Sequence, residues 1–541
     1  MSLTLDNKNL VNLSLLLSGL ISCHAFSGEL KIKGGVDTKA YLYETANGQE
    51  SEFVSNEALV IKPSLTGIFS SKGLTASISA VNTIAKLQND ESADVDSDKQ
   101  YTEFQYDSKV VLIENVMDIT LNGRQRYRAA SQAQSLVSDI VLAPGELTKF
   151  QTHNATFNFN TPNPKYIGLN FQANYAKSNS DDTVDDNNPD DETSTGYDGA
   201  NLSSVIRLYQ GRSAKNFSFD ISTSYNHSEQ RDLEDFESLN HDATIGVGIA
   251  PKLSFTLVGS MDEYKGERFN RLDLDSNSYG VGFNWAPKQN RNILITYNQL
   301  EENEDNTTNF IGLNTNWAFT DRTDLALRVS KKFYGNAYSF DFSHKLKNFR
   351  SSITYDEQVN TFGGLSYSNT SGLFVCEFGS TEFANCFQPS GTDYILKPGE
   401  EYININYVET DITEQTLLRK AGSLNLGYEK NKVKVSLVTR YEKNSYLESD
   451  SYQSTKSAIL NFLLTLSHRT SIGLSYNLSR TQEYNRDEYS TIRNIGLDFN
   501  RKLTEDFSLV INARYLDRTS AIETDLVTDK RITLGLKYEF D

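Results

Sequence analysis

The sequence predicts an all-β fold, a closed antiparallel transmembrane β-barrel of about 24 strands (range roughly 20–26), and three observations carry that reading. Apolar and polar residues alternate with period two in segments of about ten residues or more. The connectors alternate between tight turns and long polar loops. After residue 25 the 541-residue chain holds no run of about 20 apolar residues, so a helical membrane span is excluded. Composition narrows the class further. The net charge is −19 and the mean hydropathy −0.49, yet there are 29 Tyr and 29 Phe. That aromatic load excludes a disordered chain, and three Cys exclude a disulfide framework. A pI near 4.9 speaks against a nucleic-acid partner, which needs a basic footprint.

The N-terminus reads as a secretory signal over residues 1–25, ahead of a barrel over 26–541. Lys8 supplies a weak basic region, Leu10 to Ile21 an apolar core, and Cys23-His24-Ala25 a small-residue cleavage site. Leu20-Ile21-Ser22-Cys23 also suits lipidation of Cys23, a second reading of the same segment. Both export the chain, toward the cell outer membrane of a Gram-negative cell. In that oxidising setting Cys376 and Cys386 are expected to form one disulfide.

The strands follow from alternation. Phe217, Phe219, Ile221 and Tyr225 oppose Ser218, Asp220, Ser222 and Ser224. Ile472, Leu474, Tyr476 and Leu478 oppose Gly473, Ser475, Asn477 and Ser479, and Ile532, Leu534, Leu536, Tyr538 and Phe540 share the closing face. Ser71-Lys72-Gly73, Glu114-Asn115, Pro251-Lys252, Lys430-Asn431-Lys432 and His468-Arg469-Thr470 are tight turns. Between them run longer connectors at 45–55, 88–99, 131–148, 178–196, 229–237, 265–271 and 301–307. Short turns on one side and long loops on the other describe an outer-membrane barrel with periplasmic turns and extracellular loops. The connector near Gly335-Asn336 is short where a long one is due, and 360–414 is far longer than the rest. A soluble sandwich or solenoid accounts for the alternation but not for this rhythm. Eight of the nine prolines fall in proposed turns or loops, Pro287 among them, leaving Pro63 inside a strand. Trp285 and Trp317 sit at one height, each just before a short turn, and with Tyr538 and Phe540 they are the aromatic-girdle candidates. Tyr538-Glu539-Phe540 resembles the C-terminal signal read by the barrel-assembly machinery, with Asp541 following it.

The polar faces supply the pore-lining candidates. Arg124, Arg126 and Arg128 form a ladder on one strand, and Arg207, Arg328, Lys332, Arg440 and Arg514 join them. Two readings stand: a wall that selects hydrated anions, or charges that pair across strands with no selectivity. The acidic surplus lies in the loops, with Asp90, Glu91, Asp94, Asp96 and Asp98 in one and Asp181, Asp182, Asp185, Asp186, Asp190, Asp191 and Glu192 in another. Beside outer-membrane lipid and lipopolysaccharide these oxygens suit loosely bound Ca or Mg, or stand as solvated loops. The 360–414 loop is expected to plug or cap the pore. His227 and His241 flank one outer connector, as candidate cross-strand neighbours near the rim, but no Walker, HExxH, CxxC or GxSxG motif is present and no catalytic residue is assigned.

The last 130 residues add a resemblance. Leu417 to Leu426 (LLRKAGSLNL), Val433 to Leu437, Leu460 to Ser471 (LNFLLTLSHRTS) and Thr533 to Phe540 (TLGLKYEF) carry it. This grammar resembles outer-membrane β-barrels associated with exosortase (PEP-CTERM) and exopolysaccharide export systems. It is a likeness of pattern over most of the mature chain and transfers no active-site residue. It implies a role near polysaccharide secretion, with polysaccharide export components as partners. The expected function is therefore an outer-membrane channel or conduit linked to exopolysaccharide secretion. The alternative is a barrel-anchored surface structural or adhesive protein with cation-binding acidic loops.

Overall fold

The computed structural model describes residues 28–47, 53–89, 98–129, 141, 147–180, 198–213, 216–230, 235–265, 275–288, 290–301, 307–360, 368–377, 386–387, 400–409, 417–446, 451–482, 489–519 and 527–540. The leader with Cys23 lies outside these residues. So do the acidic connector residues named above, apart from Asp98.

The first strands are β1 (Gly28–Asn47), β2 (Val54–Ser71), β3 (Leu74–Asn89), β4 (Asp98–Ile113), β5 (Met117–Ala129), β6 (Leu147–Asn160), β7 (Ile167–Ser180), β8 (Asp198–Gln210) and β9 (Phe217–Gln230). Next come β10 (Phe236–Ala250), β11 (Leu253–Lys265), β12 (Ser276–Lys288), β13 (Arg291–Glu301), β14 (Thr307–Thr320), β15 (Thr323–Lys332), β16 (Gly335–Lys345) and β17 (Phe349–Asn360). A separate small sheet holds β18 (Ser368–Glu377), β19 (Cys386–Phe387) and β20 (Glu400–Glu409). The chain closes with β21 (Leu417–Lys430), β22 (Val433–Tyr446), β23 (Tyr452–Ser467), β24 (Thr470–Gln482), β25 (Tyr489–Lys502), β26 (Phe507–Thr519) and β27 (Val527–Phe540).

Apart from β18–β20, every strand pairs antiparallel with its neighbours in the chain, and β17 pairs directly with β21. β1 pairs with β27, so 24 strands form one closed up-and-down ladder. The outward faces are apolar. Ile311 is 70% exposed and Ile532 58%, with Leu534, Leu536, Phe283 and Tyr297 exposed around them. In water such a continuous apolar belt would aggregate. On a closed ladder with no free edge it is the surface a bilayer covers, and the chain is a transmembrane barrel of the outer-membrane type.

The tight turns form where residues accept a left-handed backbone. Asn115, Lys252, Asn290 and Asn431 have φ of 60°, 70°, 60° and 55°. Asn tolerates that region because its short amide bonds back to the local chain. The β15–β16 connection is two residues, Phe333-Tyr334, and ends on Gly335 at φ 105°, a conformation that disfavours any side chain.

Proline placement agrees in part. Pro63 lies inside β2 and pairs with Val36 of β1, but the β2–β3 register lapses at 62–63, where Pro has no N–H to give. Pro287 corrects the loop reading. It lies within β12, at the register shift between Trp285 and Lys288, and the irregularity accommodates the missing donor.

The inner face of β1–β3 is not polar throughout. Tyr41, Tyr43, Ala58, Val60 and Ala85 point inward and are buried together with Val141 of the β5–β6 connector. Val141 therefore packs on the inner face of the wall beside the closing seam. The long 360–414 region pairs β18 with β20 and β19, and the register sets Cys376 opposite Cys386.

Two outcomes follow from these pairings. Oxidised protein is expected to leave Cys376 and Cys386 unreactive to maleimide until reductant is added, whereas C376S exposes one thiol at Cys386. At the seam, a Cβ on Gly34 would lie 2.2 Å from Phe540 Cζ. Gly34→Val is thus expected to displace that ring, costing about 1–3 kcal/mol, and to lower the temperature at which folded barrel loses its heat-modifiable gel mobility.

Candidate functional site: the lumen wall

Alternation turns one residue in two toward the lumen, so each strand contributes its own row of side chains to the wall. From β6 to β10 it is built largely of hydroxyls and amides. Thr156 Oγ1 donates to Asn174 Oδ1 at 2.9 Å, and Asn201 Nδ2 donates to Asn226 Oδ1 at 2.8 Å. Similar pairs continue elsewhere: Ser260 with Ser278 at 2.8 Å, Thr354 with Ser423 at 2.7 Å, and Asn425 Nδ2 donating to Ser352 Oγ at 3.1 Å. These groups hydrate well and carry no net charge.

The charged candidates sit among them, mostly against carboxylates. Arg207 Nε donates to Asp220 Oδ1 at 2.8 Å in a bidentate pair, the geometry a planar guanidinium favours. Arg440 lies 3.0 Å from Glu442. Arg514 lies 3.8 Å from Asp529, and Arg531 lies 3.3 Å from the same carboxylate, which is fully buried. Arg531 also stands 5.6 Å and 5.7 Å from the Tyr41 and Tyr43 rings. Arg124 and Arg126 share the inward parity of β5 with Asp118, and Arg126 Nη2 donates to Gln105 Oε1 at 3.5 Å. Asp118 meets Lys109 at 3.7 Å and accepts from Asn158 Nδ2 at 3.0 Å. Arg128 belongs to the same strand, but its side chain lies outside the described residues.

Two pairs reach farther than a round barrel allows. Arg328 on β15 meets Asp242 on β10 at 3.2 Å, five strands away, and Lys332 on β15 bonds Asp262 on β11, four strands away. In a circular wall with strands about 4.8 Å apart, four or five strands span roughly 20 Å. An Arg and an Asp side chain together cover only about half of that. The wall from β11 to β15 must therefore curl inward on itself. Its inner positions permit this, because Gly280, Gly282 and Gly312 leave room that Asn298 and Thr296 fill. A Cβ on Gly282 would lie 2.0 Å from the Ile295 carbonyl oxygen. Thr256, Ser276, Thr296 and Asn298 are buried in the fold. At its outer end Tyr264 packs edge-on to Phe333 with centroids 6.0 Å apart. Burial, and then Glu357, push the Tyr334 hydroxyl far above its ordinary pKa, so it stays protonated.

The girdle candidates lie on the outward face. Trp285 and Trp317 are in ring contact with centroids 5.6 Å apart, one strand removed from each other, and Arg291 sits 5.8 Å from the Trp317 ring. Tyr538 packs between Phe507 at 5.0 Å and Phe540 at 6.0 Å. The two rim histidines are not brought together, a correction to their expected proximity. His241 pairs with Thr223 and bonds its hydroxyl at 2.9 Å, whereas His227 pairs with Glu237 four residues along the strand. Both share the outward parity of Ile221 and Val247, so neither faces the lumen.

Sequence reasoning missed Asp262, Asp529 and the Tyr41–Val60 patch. The patch carried a signal, since Ala40-Tyr41-Leu42-Tyr43 and Ala58-Leu59-Val60-Ile61 are apolar on both faces, the pattern of a strand covered on both sides. Asp262 carried none, because nothing local marks the partner of a lysine four strands off.

No protein-family model matches the chain, and no curated protein matches it. Among solved structures it is similar to the siderophore receptor PirA from Acinetobacter baumannii, with 9% identity, a TM-score of 0.44, and 93% of this chain and 80% of that chain covered. It is also similar to the FrpB iron transporter from Neisseria meningitidis (F3-3 variant), with 8% identity, a TM-score of 0.43, and 94% and 81% covered.

The inward fold generates its own test. Lys332→Met leaves the buried Asp262 carboxylate without its cation and is expected to destabilise the barrel by about 3–5 kcal/mol. Adding Asp262→Asn should recover most of that loss in a double-mutant cycle read by denaturant-dependent gel mobility. Additive losses would mean the pair does not hold the fold.

Proposed function

We propose that this barrel is an outer-membrane conduit for a polar, largely uncharged polymer, linked to exopolysaccharide secretion. The observation that carries the reading is the chemistry of the lumen wall. Hydroxyl and amide side chains line β6–β10, and many of the fixed charges meet an opposite charge within 4 Å. Sugar hydroxyls exchange hydrogen bonds with such a surface at little net cost, because each bond broken with water or wall is replaced by an equivalent one. Among the described residues, this pairing weakens the single-sign field that would draw and hold ions. The resemblance to barrels of exopolysaccharide export systems supports the same cargo class.

Reconstituted in planar bilayers, the full chain is expected to conduct with weak cation–anion selectivity. Neutral dextrans that enter the lumen should reduce that conductance, and sulfated dextrans of equal size should do so no more strongly. In cells making exopolysaccharide, deletion of the gene should leave polymer in the periplasm. Absence of any conductance, even after removal of residues 361–416, would overturn the conduit reading.

A further inference from the structure

The outer end of the β9–β10 hairpin holds a cluster that the lumen does not use. His227 and Glu229 on β9 and Asp235, just before β10, bring one ligand atom each to within 4.8 Å of one another. His227 Nε2 lies 3.0 Å from Glu229 Oε1. The ring's other nitrogen, Nδ1, lies 3.5 Å from Glu237 Oε1, and Tyr225 donates its hydroxyl to that same oxygen at 3.2 Å.

We propose that His227, Glu229 and Asp235 form a site for a divalent transition-metal cation of the Zn²⁺ class, with Glu237 as the residue that orients the imidazole. A neutral imidazole has one N–H and one lone pair; here Nε2 is within hydrogen-bond distance of Glu229, whereas Nδ1 is buried without a hydrogen-bond partner, 3.5 Å from Glu237. With Nε2–H donating to Glu229, the buried Nδ1 is left without a hydrogen-bond partner and its lone pair faces the Glu237 carboxylate; a cation at Nε2 lets Nδ1 carry the proton instead. With the ring proton on Nδ1, 3.5 Å from Glu237, the Nε2 lone pair is free to meet a cation shared with Glu229, and Asp235 lies within the same cluster. That is the carboxylate–histidine–metal arrangement, in which the outer carboxylate sets the tautomer. Ligands at about 2.1 Å from a tetrahedral metal stand roughly 3.4 Å apart, a spacing that small side-chain rotations reach from this cluster.

Three carboxylates around one histidine leave the group strongly anionic, which a dication offsets. The imidazole favours Zn²⁺ over Ca²⁺ or Mg²⁺, whose preferred ligands are all oxygen. Parity sets the location. His227 and Glu229 continue the outward face of Ile221, so the site lies on the outer surface at the loop end of β9 rather than in the pore. Because its ligands come from both sides of the connector, the cation would clip β9 to the start of β10. This inference stands apart from the conduit reading, since no ligand faces the lumen.

The test uses the full chain, folded in detergent micelles, stripped with chelator and titrated with Zn²⁺ by calorimetry. One equivalent is expected to bind at micromolar concentration or tighter, with Ca²⁺ at least tenfold weaker. His227→Ala and Glu229→Gln should each weaken Zn²⁺ binding at least tenfold. Glu237→Gln should weaken it by about 10–100-fold while keeping the one-to-one stoichiometry. Co²⁺ should give visible absorption bands that His227→Ala abolishes. Heat-modifiable gel mobility confirms that each variant is folded. Zn²⁺ binding unchanged in His227→Ala, equal affinity for Ca²⁺, or no saturable Zn²⁺ binding to folded barrel would each overturn the proposal.

Discussion

Inside a bilayer no water is available to a peptide N–H or carbonyl, and the rest of this structure depends on that constraint. A sheet satisfies it only by closing, and closure here is the pairing of β1 with β27 along Gly34 to Asn47. The seam is therefore the place where the two ends of the sequence must agree in register. Gly34 leaves space for the Phe540 ring, and Arg531 of the last strand faces Tyr41 and Tyr43 of the first. The buried lumenal patch beside the seam adds apolar packing that a polar pore wall would not supply.

Closure with 24 strands has a geometric consequence. A round wall of that size encloses a wide bore, and barrels in this range commonly carry a plug. Among the described residues, the wall itself takes up part of that bore. The β11–β15 arc curls inward, small residues at its inner positions let the backbones approach, and the Asp242–Arg328 and Asp262–Lys332 pairs hold it. The same pairs lower the net charge exposed to the lumen. Shape and electrostatics thus have one source.

Much of the strand plan was legible because a bilayer-facing sheet imposes period two and a turn every dozen residues. The tight turns, the short connection at Gly335 and the parity of β27 were all readable. Pro287 was misread as a loop residue because a bulge, which tolerates a missing N–H, leaves no local signature distinct from a turn. The histidine pair was misjudged for another reason. Equal distance from a connector suggests a shared height, but the register set His227 opposite Glu237 and His241 opposite Thr223. Proximity along one hairpin depends on register, which counting from a loop of uncertain length does not supply.

The sequence by itself determined which side chains face lipid and which face water, because alternation is a property of each strand alone. It put the strand number at about 24, within a range of roughly 20–26, through the rhythm of its connectors. The tertiary structure alone decided which charges meet. Arg328 and Lys332 find partners five and four strands away only once the wall has curled, and curvature accumulates over many strands. The gathering of His227, Glu229, Asp235 and Glu237 at one rim likewise waited on the register of a single hairpin. Period two assigns a face, but it assigns no neighbour beyond the strand it is written on.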